Sequence, residues 1–153
     1  MNELAATIIA HMTADNGAGG LSASDGASGG FHRGKAPETQ ETEGTKYPRI
    51  VFQFLTGLPN YVTTGEAFRK NFVQFMTFAV DPINGGESGV SIASRLNKRV
   101  QTRFTDAALV IPGHELIYCR PQRELSSDSE YDADHQRDIY SEGCIIEIWT
   151  AKV

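Results

Sequence analysis

The sequence predicts an α+β fold, in which a four-stranded, mainly antiparallel sheet carries an N-terminal helix and one main helix on one face, together with a long Gly/Ser-rich loop. Two segments have apolar residues at helical spacing, and four have them at strand spacing. A Gly/Ser-rich stretch over residues 14–46 interrupts this order once. With 153 residues and 16.7 kDa, the chain fits a single domain, 1–153, in which residues 14–46 form an extended loop or arm.

The first helix is predicted over residues 2–12, because Leu4, Ile8 and Met12 fall on one stripe. It should end at Asp15-Asn16-Gly17, where Asn and Gly favour a left-handed exit from the helix. The segment has no basic start and only a short apolar patch, so it does not resemble a signal peptide, and we expect the protein to fold in a cytosol.

The main helix is predicted over residues 87–104, with an apolar stripe made of Ala93, Leu96, Val100 and Phe104. Its basic side chains lie off this stripe. Arg95 and Arg99 are therefore predicted to be exposed or to form salt bridges between subunits. On this interpretation Leu96→Asp should unfold the subunit, whereas Arg99→Ala should leave folding nearly intact.

The four strands are predicted over residues 49–55, 68–80, 115–123 and 138–151, with an acidic loop over 124–134 before the last strand. The second strand is apolar on both faces, which indicates cover on both sides. One helix layer should cover only one of them. We therefore expect Val73 and Phe75 to belong to an interface with another subunit.

The Gly/Ser-rich stretch has few side chains that could form a core. Between residues 14 and 34 its only large apolar side chains are Leu21 and Phe31, too few for the segment to fold alone. We therefore expect contacts with a partner chain to hold the segment in an ordered conformation. Leu21 and Phe31 are the predicted anchors, buried against another chain.

The patterns that would indicate an enzyme are incomplete. His114-Glu115 begins a zinc-protease motif without its second histidine, and Ser141-Glu142-Gly143 lacks the flanking pattern of a nucleophile elbow. The acidic run 128–134 lacks the glycine and final glutamate of a calcium loop. Cys119 and Cys144 fit buried thiols better than a disulfide, a metal site or a nucleophile. We therefore predict no catalytic, cofactor or metal site, and no enzyme.

The formal net charge of −5 and the pI near 5.3 argue against tight binding to a phosphate backbone, because such binding needs Lys and Arg to neutralise phosphates. No apolar run approaches the roughly 20 residues that a membrane span requires, so no membrane partner is expected.

The order of elements resembles one known family. Tyr-Pro-Arg-Ile-Val-Phe opens the first strand at residues 47–52, the main helix has Ser91, Ala93 and Leu96 in a Ser-x-Ala-x-x-Leu pattern, and the last strand begins Arg-Asp-Ile-Tyr-Ser-Glu-Gly at 137–143. This layout resembles the tail-terminator, or tail-completion, proteins of long-tailed bacteriophages, which sit at the head–tail joint.

The resemblance implies a structural virion protein of the tail and neck, assembled in the host cytoplasm. It implies a homo-oligomeric ring, a hexamer, that caps the tail tube and joins it to the head. Its partners would be the tail tube protein and a neck or connector protein, with DNA passing through the ring without sequence-specific binding. Other interpretations stay open: another neck protein (a stopper or head-completion subunit), a small-molecule-binding module or a small enzyme.

Overall fold

The computed structural model describes residues 2–35, 47–55, 68–82 and 85–153, which form two helices and a five-stranded sheet. Residues 36–46, the last third of the predicted arm, lie outside the described residues. Along the chain the elements are α1 (Asn2–Thr13), β1 (Phe31–Arg33), β2 (Arg49–Phe54), β3 (Phe68–Val80), α2 (Gly89–Phe104), β4 (His114–Asp132) and β5 (Arg137–Lys152).

The sheet has the strand order β1-β2-β3-β5-β4, and all neighbours are antiparallel except β1 and β2. The α+β class is confirmed, but the predicted number of four strands is wrong. The fifth strand, β1, comes from the segment that we expected to be an arm. It lies beside β2 because Gly29 N–H donates to the Pro48 carbonyl (2.8 Å) and Ile50 N–H donates to the Gly30 carbonyl (3.1 Å).

β4 is about twice as long as predicted, because most of the expected acidic loop is strand. It pairs with β5 from His114–Lys152 to Asp132–Arg137, with three register shifts on the way. Most side chains of residues 124–131 are exposed on both faces, so this part of the strand has no apolar alternation. Its main-chain ladder with β5 holds it in place, and the two strands are joined by a turn in which Gln136 has φ +51°.

Both helices pack on the face of the sheet that carries Val73 and Phe75. The predicted stripe of α2 is confirmed: Ala93, Leu96, Val100 and Phe104 are at most 2% exposed. The ring of Phe75 lies 5.8 Å from that of Phe52 and 5.0 Å from that of Phe104, which joins β2, β3 and α2 in one aromatic stack. α2 begins after Ser88, whose hydroxyl accepts from Ser91 N–H.

Candidate assembly surfaces

The side chains predicted to contact a partner lie in three different environments. Three are 0% exposed in the core of their own chain: Leu21, Val73 and Phe75. Phe31, on the edge strand β1, is half-buried against that core, while Arg95 and Arg99 lie half-buried on α2.

The expectation that another chain buries Leu21, Val73 and Phe75 is therefore corrected. α2 covers the face of β3 that carries Val73 and Phe75, and the Gly/Ser-rich segment folds back so that Leu21 joins the same core. Contacts of Phe31, Arg95 and Arg99 with a partner stay predictions.

A buried carboxylate fastens the Gly/Ser-rich segment to α2. Asp15, whose side chain is 5% exposed, accepts from Arg99 Nε at 2.8 Å and Nη2 at 2.5 Å, and also from Leu21 N–H at 2.9 Å. The hydrogen bonds from Arg99 hold the pKa of Asp15 below its usual value, against the effect of burial. We call the contacts among Asp15, Leu21 and Arg99 the tract lock, because they hold the Gly/Ser-rich tract against α2. It positions the segment that leads to β1.

Two glycines make the turns of this segment possible. A Cβ on Gly20 would collide with the carbonyl of Asp15, and a Cβ on Gly26 would collide with the carbonyl of Leu21. Leu21 also accepts from Ala27 N–H at 2.7 Å, so its backbone closes the next turn. The glycines therefore allow the backbone to pack closely within the chain. From the sequence, we expected only that the Gly/Ser-rich segment could not fold by itself.

Arg95 makes a second tie between the segment and α2. Its guanidinium forms a bidentate ion pair with Glu87, with Nη2–Oε2 at 2.9 Å and Nε–Oε1 at 3.1 Å, and Nη2 also donates to the Asp25 carbonyl at 3.0 Å. The pair joins the start of α2 to the preceding turn. Both arginines offered as interface candidates thus serve first to hold their own chain together.

The sheet face opposite the helices, which we call the second face, carries a ladder of stacked cations and rings. Arg120 lies 4.6 Å from the centre of the Tyr118 ring, which stacks on Trp149 at 5.3 Å. Lys70 lies 5.1 Å from the Trp149 ring and pairs with Glu147 at 2.6 Å. Each contact bridges neighbouring strands or residues of β4, β5 and β3, so this ladder stiffens the second face.

The ladder contains one ion pair, Lys70–Glu147, whereas the buried Nε1 of Trp149 has no hydrogen-bond partner among the described residues. Glu147 is 6% exposed, and its carboxylate raises the pKa of Lys70. Burial, with a contribution from Glu147, raises the pKa of Tyr118. The raised pKa values keep Lys70 a cation and Tyr118 a neutral phenol at neutral pH, an arrangement suited to rigidity.

The turn end of the β4–β5 hairpin is strongly acidic. Residues 124–142, which we call the acidic tip, contain seven Asp or Glu residues and one Arg. Asp132 accepts from His135 Nδ1 at 2.8 Å and from Arg137 Nε at 3.3 Å, which orders the turn. A cleft of about 840 Å³ lies beside it, bordered by this turn and by Arg49 and Phe78.

The described residues hold little that could perform chemistry. Cys119 and Cys144 are buried free thiols, and burial raises the pKa of each to about 12, so neither is a thiolate at neutral pH. Among the described residues, no three His, Cys, Asp or Glu side chains converge as metal ligands would. None of the helices in the described ranges has the length and apolarity needed to cross a membrane.

The ladder on the second face and the tract lock were both missed by sequence reasoning. The ladder had one available signal, since Tyr118, Arg120 and Trp149 sit in strands at alternating positions. The tract lock had none, because Asp15 and Arg99 are 84 residues apart and nothing in the spacing pairs them.

No protein-family model matches this sequence, and no curated protein matches it. Solved structures do match. One is a chain of the "Virion of native gene transfer agent (GTA) particle", with a TM-score of 0.61 and 11% sequence identity. The match covers 97% of this chain and 94% of that chain. The two chains share a fold over nearly their whole lengths.

Proposed function

We propose that this chain is a structural subunit of a phage-like virion, and specifically a tail terminator. Six copies form a ring that caps the tail tube and joins it to the head or neck around the DNA channel. The observation that carries the proposal is the fold shared with a chain of a gene transfer agent virion over 97% of this chain and 94% of the other. The resemblance of its layout to tail-terminator proteins supports the same role.

In this proposal residues 1–153 act as one domain without enzymatic activity. The neighbours are further copies of the chain, the tail tube protein and a neck or connector protein. Several of the described polar side chains support a structural role, because they form ion pairs within the chain, such as Asp15–Arg99 and Lys70–Glu147. The formal net charge of −5 of the whole chain does not favour tight binding to DNA phosphates.

Deletion of the chain from the cell that produces its particle tests the proposal. Electron microscopy should show tails of uncontrolled length and heads without tails, because nothing stops the polymerising tube or joins it. Supplying the chain in trans should restore joined particles of normal tail length.

The same micrographs separate the alternatives. Tails of normal length beside heads that have lost their DNA would indicate a stopper or head-completion subunit. Complete and infective or transducing particles without the chain would refute a structural role in the virion.

A further inference from the structure

Charge in this chain is strongly segregated along the β4–β5 hairpin. The acidic tip has a formal net charge of −6, whereas the whole chain has −5, so the remainder of the chain is at +1. Its exposed carboxylates lie at Glu124, Asp128, Glu130, Asp134 and Asp138. Among them stands Tyr131, 62% exposed. The tip therefore combines concentrated negative charge with an exposed aromatic side chain, a residue type enriched at protein interfaces.

The remaining parts of β4 and β5, together with the start of β3, are basic. The segments 68–72, 114–123 and 145–152, which we call the basic end, contain five Lys or Arg residues and two Glu residues, a formal net charge of +3. They are adjacent because Phe68 pairs with Ala151 and His114 pairs with Lys152. This end also exposes apolar surface, since Phe68 is 45% and Ile117 44% exposed.

The outer carboxylates of the tip cannot reach the arginines of the basic end within one chain. Glu130 pairs with Ile139 of β5, whereas Arg123 pairs with Ile145, six residues further along that strand. Six residues of strand span roughly 20 Å at about 3.3 Å per residue, which is too far for an ion pair. A contact of Glu130 or Asp134 with Arg120 and Arg123 therefore requires two molecules.

We propose that the acidic tip of one copy binds the basic end of the next copy. This contact joins two different surfaces, so it is heterologous, and repetition of one rotation closes it into a ring. The inference deepens the proposed function and rests on it, because it supplies the contact that builds the ring.

α2 is the other basic surface, but it fits the tip less well. Three of its four cations already make contacts within their own chain: Arg95 with Glu87, Arg99 with Asp15, and Arg103 with the His11 carbonyl. At the basic end, Arg123 and Arg69 are exposed, and Arg120 is exposed above the Tyr118 ring. We therefore assign the contact to the basic end.

Charge reversal tests this contact in the full-length protein. The tip variant combines Glu130→Lys with Asp134→Lys, and the end variant combines Arg120→Glu with Arg123→Glu. Light scattering coupled to size exclusion gives the mass over a range of concentrations. We expect the unaltered chain to form a ring and each variant alone to assemble at least about tenfold more weakly, because like charges then face each other.

A mixture of the two variants gives the sharper result. The reversed tip then meets a reversed end, and the original tip meets an original end, so an equimolar mixture should recover the mass of the unaltered ring. Lys98→Glu is the matched control: it reverses an exposed cation on α2, outside both surfaces, and should assemble normally. Thermal unfolding of every variant, and Arg123→Glu alone as a milder change, separates loss of the contact from loss of folding.

Several outcomes would overturn the proposal. Folded reversal variants that assemble like the unaltered chain would place the ring contact elsewhere, and the proposed function would stand. A mixture that stays dissociated would also contradict the pairing. If the unaltered chain is monomeric at every concentration, or if its tip binds only the tail tube protein, the contact between copies is wrong, and the deletion experiment still decides the role in the virion.

Discussion

Removing the guanidinium of Arg99 should destabilise the fold, contrary to the near-neutral effect that the sequence predicts. In Arg99→Ala, Asp15 keeps only the hydrogen bond from Leu21 N–H, while its side chain is 5% exposed. A fully buried carboxylate that loses its cation costs about 3–5 kcal/mol. Because the Arg99 side chain is 37% exposed and water can partly replace it, we reduce this to about 2 kcal/mol.

The assay is urea unfolding followed by the fluorescence of Trp149, the single tryptophan of the chain. A loss of about 2 kcal/mol should also lower the melting temperature by roughly 4–8 °C for a domain of this size. Lys98→Ala is the control, since it removes an exposed cation from the neighbouring position of the same helix. Asp15→Asn, alone and combined with Arg99→Ala, gives the coupling energy.

The pH dependence gives an independent check. The folded-state pKa of Asp15 is lowered from 3.8, chiefly by Arg99, so the stabilisation is complete above that value and is lost as the pH falls below it. The difference in unfolding free energy between the unaltered chain and Arg99→Ala should be constant near neutral pH and shrink below about pH 4. If Arg99→Ala matches Lys98→Ala within about 0.5 kcal/mol, the tract lock does not stabilise the fold.

Three further predictions follow from buried side chains. Leu21→Ala should cost about 2–5 kcal/mol in urea unfolding, because Leu21 is 0% exposed in the core; a loss typical of a surface position would contradict this. Cys119 and Cys144, each with a pKa of about 12, should resist iodoacetamide near pH 8 until the chain unfolds, as counted by mass spectrometry; rapid alkylation of the folded chain would contradict their burial. Lys70→Met should cost about 1–3 kcal/mol, because it leaves the carboxylate of Glu147 without its cation, and adding Glu147→Gln should recover part of that loss; no recovery would mean that the pair is not coupled.

Elements that bury one face in a regular period could be predicted from the sequence. The bounds of β3, Phe68–Val80, agree with the prediction, and α2 differs only at its start, where Ser88 acts as the cap. In both, apolar side chains recur at the period of the backbone, so local sequence and tertiary burial give the same answer. The assignment of a partner to Val73 failed for a different reason. Periodicity shows that a face is apolar, but it does not show which neighbour covers it.

Two elements could not be predicted because backbone pairing or distant contacts form them. The end of β4, including Asp128 and Glu130, has polar side chains on both faces and is held by its ladder with β5. Leu21 is buried because turns at Gly20 and Gly26 and the distant Arg99 fold the segment back. A Gly-rich composition predicts that a segment cannot fold in isolation. That prediction does not hold where the rest of the chain supplies a surface for the segment to pack against.

The same packing limits how copies of the chain can meet. The apolar side chains that the sequence offered for assembly, Leu21, Val73 and Phe75, are already used to fold the subunit. The two oppositely charged parts of the sheet, in contrast, include exposed side chains that can meet a partner. Contacts between charged, solvent-exposed groups weaken as salt screens them, with a Debye length near 10 Å at 0.1 M and about 3 Å at 1 M. A ring built on these ends should therefore dissociate as the salt concentration rises, whereas a ring built on an apolar face would persist or strengthen.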